Sequence, residues 1–256
     1  MPTRRLPREF LKTPLAHRAL HDVDDGRPEN SIAAVKAAIS AGYGIEIDVQ
    51  LSSDAQAMVF HDYHLARLAQ GDGNIRDVSS AVLAGIPLRG GSEGVPTLQD
   101  VLAVVDGQVP LLIEIKDQDG QMGDNVGPLE RSVSSALKEY SGPVAVMSFN
   151  PNSVKLMSKL SPDIPRGLVT DAFDPDTWGI PEHICGPLRE ITDYEAVEAS
   201  FISHDRRDLE RARVRELKAK GADILCWTVR SPQQEAQARK IAGNITFEGY
   251  LAPLDA

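Results

Sequence analysis

The strongest constraint on the fold is a recurring unit, a short apolar run that meets charged or histidine side chains, followed by a helix-like segment. Leu15-Ala16 leads into His17-Arg18, and Ile45 and Ile47 interleave with Glu46 and Asp48. Met58-Val59-Phe60 leads into His61-Asp62, and Leu111-Leu112-Ile113 leads into Glu114-Ile115-Lys116. Runs of this kind read as buried strands. Ionised groups almost never sit in such strands unless they are paired or hold a metal. Strands are predicted over 14–18, 44–51, 57–61, 110–116, 143–149, 165–170, 199–203, 222–229 and 245–251. Helices are predicted near 31–41, 97–106, 126–140, 150–160, 188–198, 206–220 and 231–242. The alternation implies an α/β protein with a parallel sheet.

Two places break the alternation. Only residues 51–57 separate two of the runs, too few for a crossover helix, so 44–51 and 57–61 are predicted to form an antiparallel hairpin. With its turn near Asp54, Ile47 falls opposite His61, which places His61 beside Glu46 and Asp48. The second break, residues 64–96, is rich in Gly, Ser and Asp and reads as a small insertion or lid. Without the hairpin strand, eight strands remain, in a chain of the size of a TIM (β/α)8 barrel. The competing open doubly wound sheet more often carries a Gly-rich phosphate loop after its first strand, and none is present. The expectation is one domain over residues 1–256, a TIM barrel with an extra hairpin strand. In that fold the chemistry sits at the C-terminal strand ends, where His17, Glu46, Asp48, Glu114 and Lys116 all fall.

Composition narrows the partners. Against 27 Lys and Arg stand 37 Asp and Glu, a formal net charge of −10. Such a surface repels phosphate backbones and anionic headgroups, so neither nucleic acid nor stable membrane association is expected. A phosphorylated substrate then needs a local positive centre. Cys185 and Cys226 have no zinc or disulfide-framework spacing and read as reduced core residues. The segment MPTRRLPREFLKTPLAHR lacks the apolar stretch of a signal peptide, and no run is long enough to span a bilayer, so a cytoplasmic location is expected. Nothing in the sequence sets an oligomeric state.

Glu46 and Asp48 lie two residues apart and so share one face of a strand, as do Glu114 and Lys116. Adjacent acids repel unless a cation lies between them. That cation is either a neighbouring Arg or Lys or, the reading favoured here, one divalent ion held by Glu46, Asp48 and Glu114. All-oxygen donors select Mg²⁺ or Ca²⁺ over zinc. His17 and His61 are candidate catalytic residues for general acid–base work. Arg18 and Lys116 are candidate phosphate contacts. His21, His64, His183 and His204 read as structural or surface residues, although His204, just past its predicted strand, could line a pocket. Together these groups suit phosphodiester cleavage, with cations neutralising phosphoryl charge and two histidines moving protons.

The ordered set His17-Arg18, Pro28-Glu29-Asn30, Glu46-Ile47-Asp48-Val49-Gln50-Leu51, His61-Asp62, Pro96-Thr97-Leu98, Glu114-Ile115-Lys116, Ser148-Phe149-Asn150 and Trp227-Thr228-Val229 resembles the glycerophosphodiester phosphodiesterase family. The resemblance implies a TIM barrel and a Mg²⁺- or Ca²⁺-dependent hydrolase that cuts a small glycerophosphodiester to glycerol 3-phosphate and an alcohol. It implies His17 and His61 as the acid–base pair, Glu46, Asp48 and Glu114 as metal ligands, and Arg18 and Lys116 at the phosphate. Trp227 then packs against the glycerol, and Glu29 lies at the site rim. It also implies attack by the substrate's own 2-hydroxyl, giving a cyclic phosphate that water opens. Two departures stand out. The family usually has Gly after His-Arg, where this chain has Ala19. Its last strand usually ends in Thr-Asp-x-Pro, where this chain reads Ile245-Thr246-Phe247-Glu248-Gly249-Tyr250, with Glu248 the nearest acid. A phospholipase-like enzyme is a rival in the same fold, but it needs a basic or apolar docking rim, against which the acidic balance and 5% aromatic content argue. A non-catalytic phosphate-ester binding protein is a rival of another class.

Overall fold

A computed structural model describes residues 5–254; residues 1–4 and 255–256, the ends of the expected domain range and of the basic N-terminal segment, lie outside the described residues. Among the described residues nine strands form one sheet: β1 (Leu15–Ala16), β2 (Gly44–Leu51), β3 (Ala57–Val59), β4 (Leu111–Ile115), β5 (Val144–Ser148), β6 (Arg166–Thr170), β7 (Phe201–Asp205), β8 (Asp223–Val229) and β9 (Asn244–Phe247). Their order is β1-β9-β8-β7-β6-β5-β4-β2-β3, and β1 also pairs with β2, so eight parallel strands close into a barrel. β3 runs antiparallel on the upper half of β2, beyond the reach of the two-residue β1. Its register pairs Val49 with Val59 and Leu51 with Ala57, which extends to Ile47 opposite His61 as predicted.

The period-2 alternation of strand side chains sorts the core into two layers. Leu15, Leu112, Ala145, Met147, Val169, Phe201 and Leu225 fill the barrel interior. Ile45, Ile47, Ile113, Val146, Leu168, Ile202 and Ile245 point outward and pack against helix residues such as Val35, Val101, Val133, Val154 and Leu217. Phe10, on the short helix Glu9–Lys12, plugs the N-terminal end, and Asn244 Nδ2 donates to the Phe10 and Thr13 carbonyls at 2.8 and 2.6 Å. Interior packing leaves no slack: a Cβ on Gly167 would come within 2.4–2.6 Å of the Phe201 ring. Gly167→Ala is therefore expected to destabilise the barrel by about 1–3 kcal/mol through overpacking, measured by urea unfolding.

The punctuation expected along the chain is present. Ser31 caps the helix Ile32–Ala41, which stops at Gly42 in a left-handed conformation (φ 77°). Thr97 and Asp100 form a capping box on Leu98–Val105. Two helices differ from expectation: that expected near 206–220 forms only over Ala212–Ala219, and the other is displaced. No helix spans 188–198; the helix is Glu182–Arg189, and the chain then turns. Ile191 and Glu198 hold φ values of 49° and 54°, which no continuous helix admits. The final strand also stops at Phe247, four residues earlier than predicted. The insertion is a small satellite, with Phe60, Leu65, Ile75, Leu83, Leu88 and Val95 clustered under short helical turns. Cys185 and Cys226 are buried and unpaired. No helix among the described residues is long and apolar enough to cross a membrane.

Candidate active site

The strand register carries the charged residues to one place. In the β2–β4 pairing Asp48 lies beside Glu114. From β2, Glu46 and Asp48 point into the lumen; from β4, Glu114 does, with Lys116 just past the strand end. A cavity of about 160 Å³ at the C-terminal end is lined by His17, Arg18, Glu46, Asp48, His61, Glu114, Lys116 and Trp227, all eight residues singled out in the sequence. Phe149, Ser203, Arg230 and Thr246 also line it. A larger groove of about 340 Å³ lies on the outer wall between Thr97–Gln99 and Pro128–Ala136, but Arg131 is its sole ionisable residue and it has no histidine or carboxylate.

Glu46, Asp48 and Glu114 are buried, and one oxygen from each lies within 4.8 Å of the others. Lys116 Nζ bridges Asp48 Oδ1 at 2.7 Å and Glu114 Oε1 at 2.5 Å. Asp48 is held further by Asn30, whose Nδ2 donates to Oδ2 at 2.9 Å while its Oδ1 accepts the Asp48 backbone N–H at 3.2 Å. Burial alone would raise the Asp48 carboxyl, but Lys116, His61 and Arg18 pull it well below the usual carboxylate range. Glu46 behaves oppositely. Its one close donor is the Arg18 backbone N–H at 2.9 Å, and burial together with the Asp48 and Glu114 charges pushes it well above that range. Burial also raises Glu114. Lys116 therefore bridges two of the three acids with a single positive charge and makes no ion pair with Glu46. A hard divalent ion fits that donor set and charge deficit.

The two histidines sit at the same rim. His17 Nδ1 contacts Glu248 Oε2, and His61 Nδ1 lies 2.7 Å from Asp62 Oδ1. Gln50 Nε2 donates to the His61 carbonyl at 3.1 Å and ties the hairpin end to β2. Burial, aided by Lys116, lowers His61 to about 4, and burial lowers His17. Arg67, from the insertion, grips Asp62 through Nε and Nη2, both at 2.6 Å. Arg18 Nη1 donates to Glu29 at 2.7 Å, and its Nε has no hydrogen-bond partner. Arg18 and Ala19 hold φ values of 54° and 65°, so Ala19 adopts the left-handed backbone for which glycine is the default. Trp227 Nε1 donates to the Ser203 carbonyl at 2.9 Å, and its ring meets Phe149 edge-on at 5.6 Å, forming an aromatic wall.

His204 does not reach the cavity. It is fully buried on the outward face of β7, bonded to Thr170 Oγ1 at 2.7 Å and near Asp208. Sequence reading gave no role to Asp62, Arg67, Phe149 or Arg230 and no link between Asn30 and Asp48. Asp62 had a local signal, its place next to His61; the others depend on tertiary approach.

Residues 17–245 match the model of the glycerophosphoryl diester phosphodiesterase family. The chain is 30% identical over 232 residues to Bacillus subtilis YhdW, provisionally named a glycerophosphodiester phosphodiesterase, covering 86% of this chain and 88% of that protein. It is 32% identical over 161 residues to a glycerophosphodiester phosphodiesterase of Caldanaerobacter subterraneus, covering 59% of this chain and 65% of that one. An Oleispira antarctica phosphodiesterase, solved with the product sn-glycerol-3-phosphate, superposes with a TM-score of 0.74 at 24% identity, covering 93% of each chain. A Parabacteroides distasonis glycerophosphodiester phosphodiesterase superposes with a TM-score of 0.72 at 22% identity, covering 92% of each. The structural likenesses show the shared barrel, while the match over residues 17–245 takes in His17, Arg18, Glu46, Asp48, His61, Glu114, Lys116 and Trp227 and stops short of Glu248. The chain belongs to the glycerophosphoryl diester phosphodiesterase family of phosphodiester-cleaving enzymes.

Proposed function

We propose that this enzyme hydrolyses small glycerophosphodiesters to glycerol 3-phosphate and an alcohol, with His17 and His61 as the proton carriers and one divalent cation, Mg²⁺ or Ca²⁺, at Glu46, Asp48 and Glu114. The observation that carries the reading is the convergence of both histidines, the three buried carboxylates and two cationic side chains on one small cavity. The Caldanaerobacter relative's name and the product bound to the Oleispira neighbour point to the same substrate class.

The chain's own groups divide the work. Lys116 and Arg18 line the cavity as fixed positive charges for the phosphodiester oxygens. Glu46, Asp48 and Glu114 would hold the divalent ion, which would supply Lewis-acid stabilisation of phosphoryl charge. One histidine removes the proton from the substrate's 2-hydroxyl as its oxygen bonds to phosphorus, and the other protonates the leaving alkoxide as its P–O bond breaks; water then opens the resulting cyclic phosphate to glycerol 3-phosphate, with the two histidines exchanging roles. The His61 Nδ1 contact with Asp62 leaves Nε2 as the nitrogen that moves the proton. Trp227 and Phe149 give the glycerol carbons an apolar wall. Glycerol 3-phosphate should be released from glycerophosphocholine with Mg²⁺ or Ca²⁺ and not after EDTA treatment, followed by a coupled glycerol 3-phosphate assay. Absence of turnover across a panel of headgroups, with folded protein and metal present, overturns the reading.

A further inference from the structure

Each cavity histidine commits its Nδ1 to a carboxylate, and an arginine grips each of those carboxylates. Around His61 all three groups come from one short stretch, His61, Asp62 and Arg67. Around His17 they come from opposite ends of the chain. Glu248 Oε2 contacts His17 Nδ1, and Glu248 Oε1 accepts from Arg230 Nε at 2.7 Å and lies 2.6 Å from Arg230 Nη2. Barrel closure makes this triad. β1 pairs with β9 so that Ala16 sits beside Phe247, and the His17 N–H donates to the Phe247 carbonyl at 2.8 Å. The Glu248 N–H donates to the Val229 carbonyl at 3.0 Å. His17, Glu248 and Arg230 therefore stand side by side, one step past the ends of three adjacent strands.

We infer that Glu248 is the positioning residue for His17, fixing the proton on Nδ1 and leaving Nε2 as the nitrogen that exchanges a proton with the substrate. This rests on the reading of His17 as a proton carrier. An ionised carboxylate only accepts hydrogen bonds, so the nitrogen facing it must carry the hydrogen. A neutral His17 then has its lone pair on Nε2, and once that nitrogen takes a proton the imidazolium lies against a negative charge. Arg230 keeps that charge in place: against the burial that would raise it, contacts with His17, His21 and Arg230 hold Glu248 well below the usual carboxylate range. His21 Nε2 stands 3.7 Å from the same Glu248 oxygen and has no hydrogen-bond partner of its own. Glu248 does not itself line the cavity, and its effect on the reaction passes through His17.

The test uses Glu248→Gln and Glu248→Asp in the metal-loaded full chain. Glutamine keeps size and polarity but presents either an acceptor oxygen or a donor NH₂, so the tautomer is no longer enforced. The expected result is a kcat lower by at least about 10-fold with KM changed by less than about 3-fold, and partial recovery in Glu248→Asp. Imidazole ¹⁵N NMR should show His17 protonated at Nδ1 in the wild type and a tautomer mixture in Glu248→Gln. An Nε2–H tautomer in the wild type, or an unchanged kcat in Glu248→Gln, overturns the assignment. So does a loss that follows the folded fraction while the His17 resonances stay put, since that is the behaviour of a strand-end brace. The NMR arm needs no turnover, so a chain inactive on glycerophosphodiesters but with the expected tautomer would refute the substrate reading and not the Glu248–His17 pairing.

Discussion

His17→Ala and His61→Ala are each expected to lower kcat on a glycerophosphodiester by about 10²–10⁴-fold, the range for removing a positioned acid or base. Both side chains line the cavity, yet neither is part of the apolar packing inside the barrel. Circular dichroism and the melting profile should therefore stay close to wild type. The two losses should not add in the double variant, because each proton transfer is of little use without the other. His204→Ala is the contrasting control. That ring is completely buried and bonded to Thr170, so its loss should show in stability and leave the kcat of the folded fraction largely intact. Activity within about tenfold of wild type in either cavity variant would remove that histidine from the chemistry.

The same contrast shows which parts of the site could be read from sequence. The hairpin was legible because seven residues cannot cross a sheet and a side-chain period of two fixes the faces. Glu46, Asp48 and His61 were placed together by counting alone, and the observed register agrees. The alternation also separates His204 from the cavity: on β7 Phe201 packs inside the barrel and Ser203 lines the cavity, so residue 204 must face out. Elsewhere local pattern is not enough. Residues 188–198 carry helix-compatible apolar spacing, but left-handed backbone at Ile191 and Glu198 depends on how the chain is packed. Arg67 sits in a stretch with loop composition and becomes part of the site only because the insertion folds back onto Asp62 and Glu29. Asn30 belongs to a helix-entry segment, and its reciprocal bonds to Asp48 appear only when that segment meets β2. Paired acids on one strand face leave a strong local trace; a neutral partner brought to them from another element, such as Asn30, does not.

Glu46→Gln is expected to move stability and activity in opposite directions. With no divalent ion, Glu46 lies close to two other buried carboxylates, and Lys116 makes its ion pairs with those two while acting on Glu46 only from a distance. Its carboxyl is raised by burial first and then by Asp48 and Glu114, so the folded state holds a proton that the unfolded chain has already released. Stability from this group is therefore lost as pH climbs from the ordinary carboxylate range through the raised value. A neutral glutamine, still able to accept the Arg18 N–H now made to Glu46 at 2.9 Å, avoids that loss. In EDTA the variant should melt above the wild type at pH 8, and the gap should close as pH falls and Glu46 takes up its proton. Adding Mg²⁺ or Ca²⁺ should reverse the order, because binding to the folded state stabilises the wild type by mass action and the variant has lost one charged ligand. Activity in saturating metal should fall by at least about 10²-fold, since the ion's share of transition-state stabilisation is several kcal/mol. Thermal unfolding of both proteins across pH, with and without metal, checks each step. Equal divalent stabilisation of the two would show that Glu46 is no ligand, and a variant less stable than wild type in EDTA at pH 8 would show that its charge is already compensated within the chain.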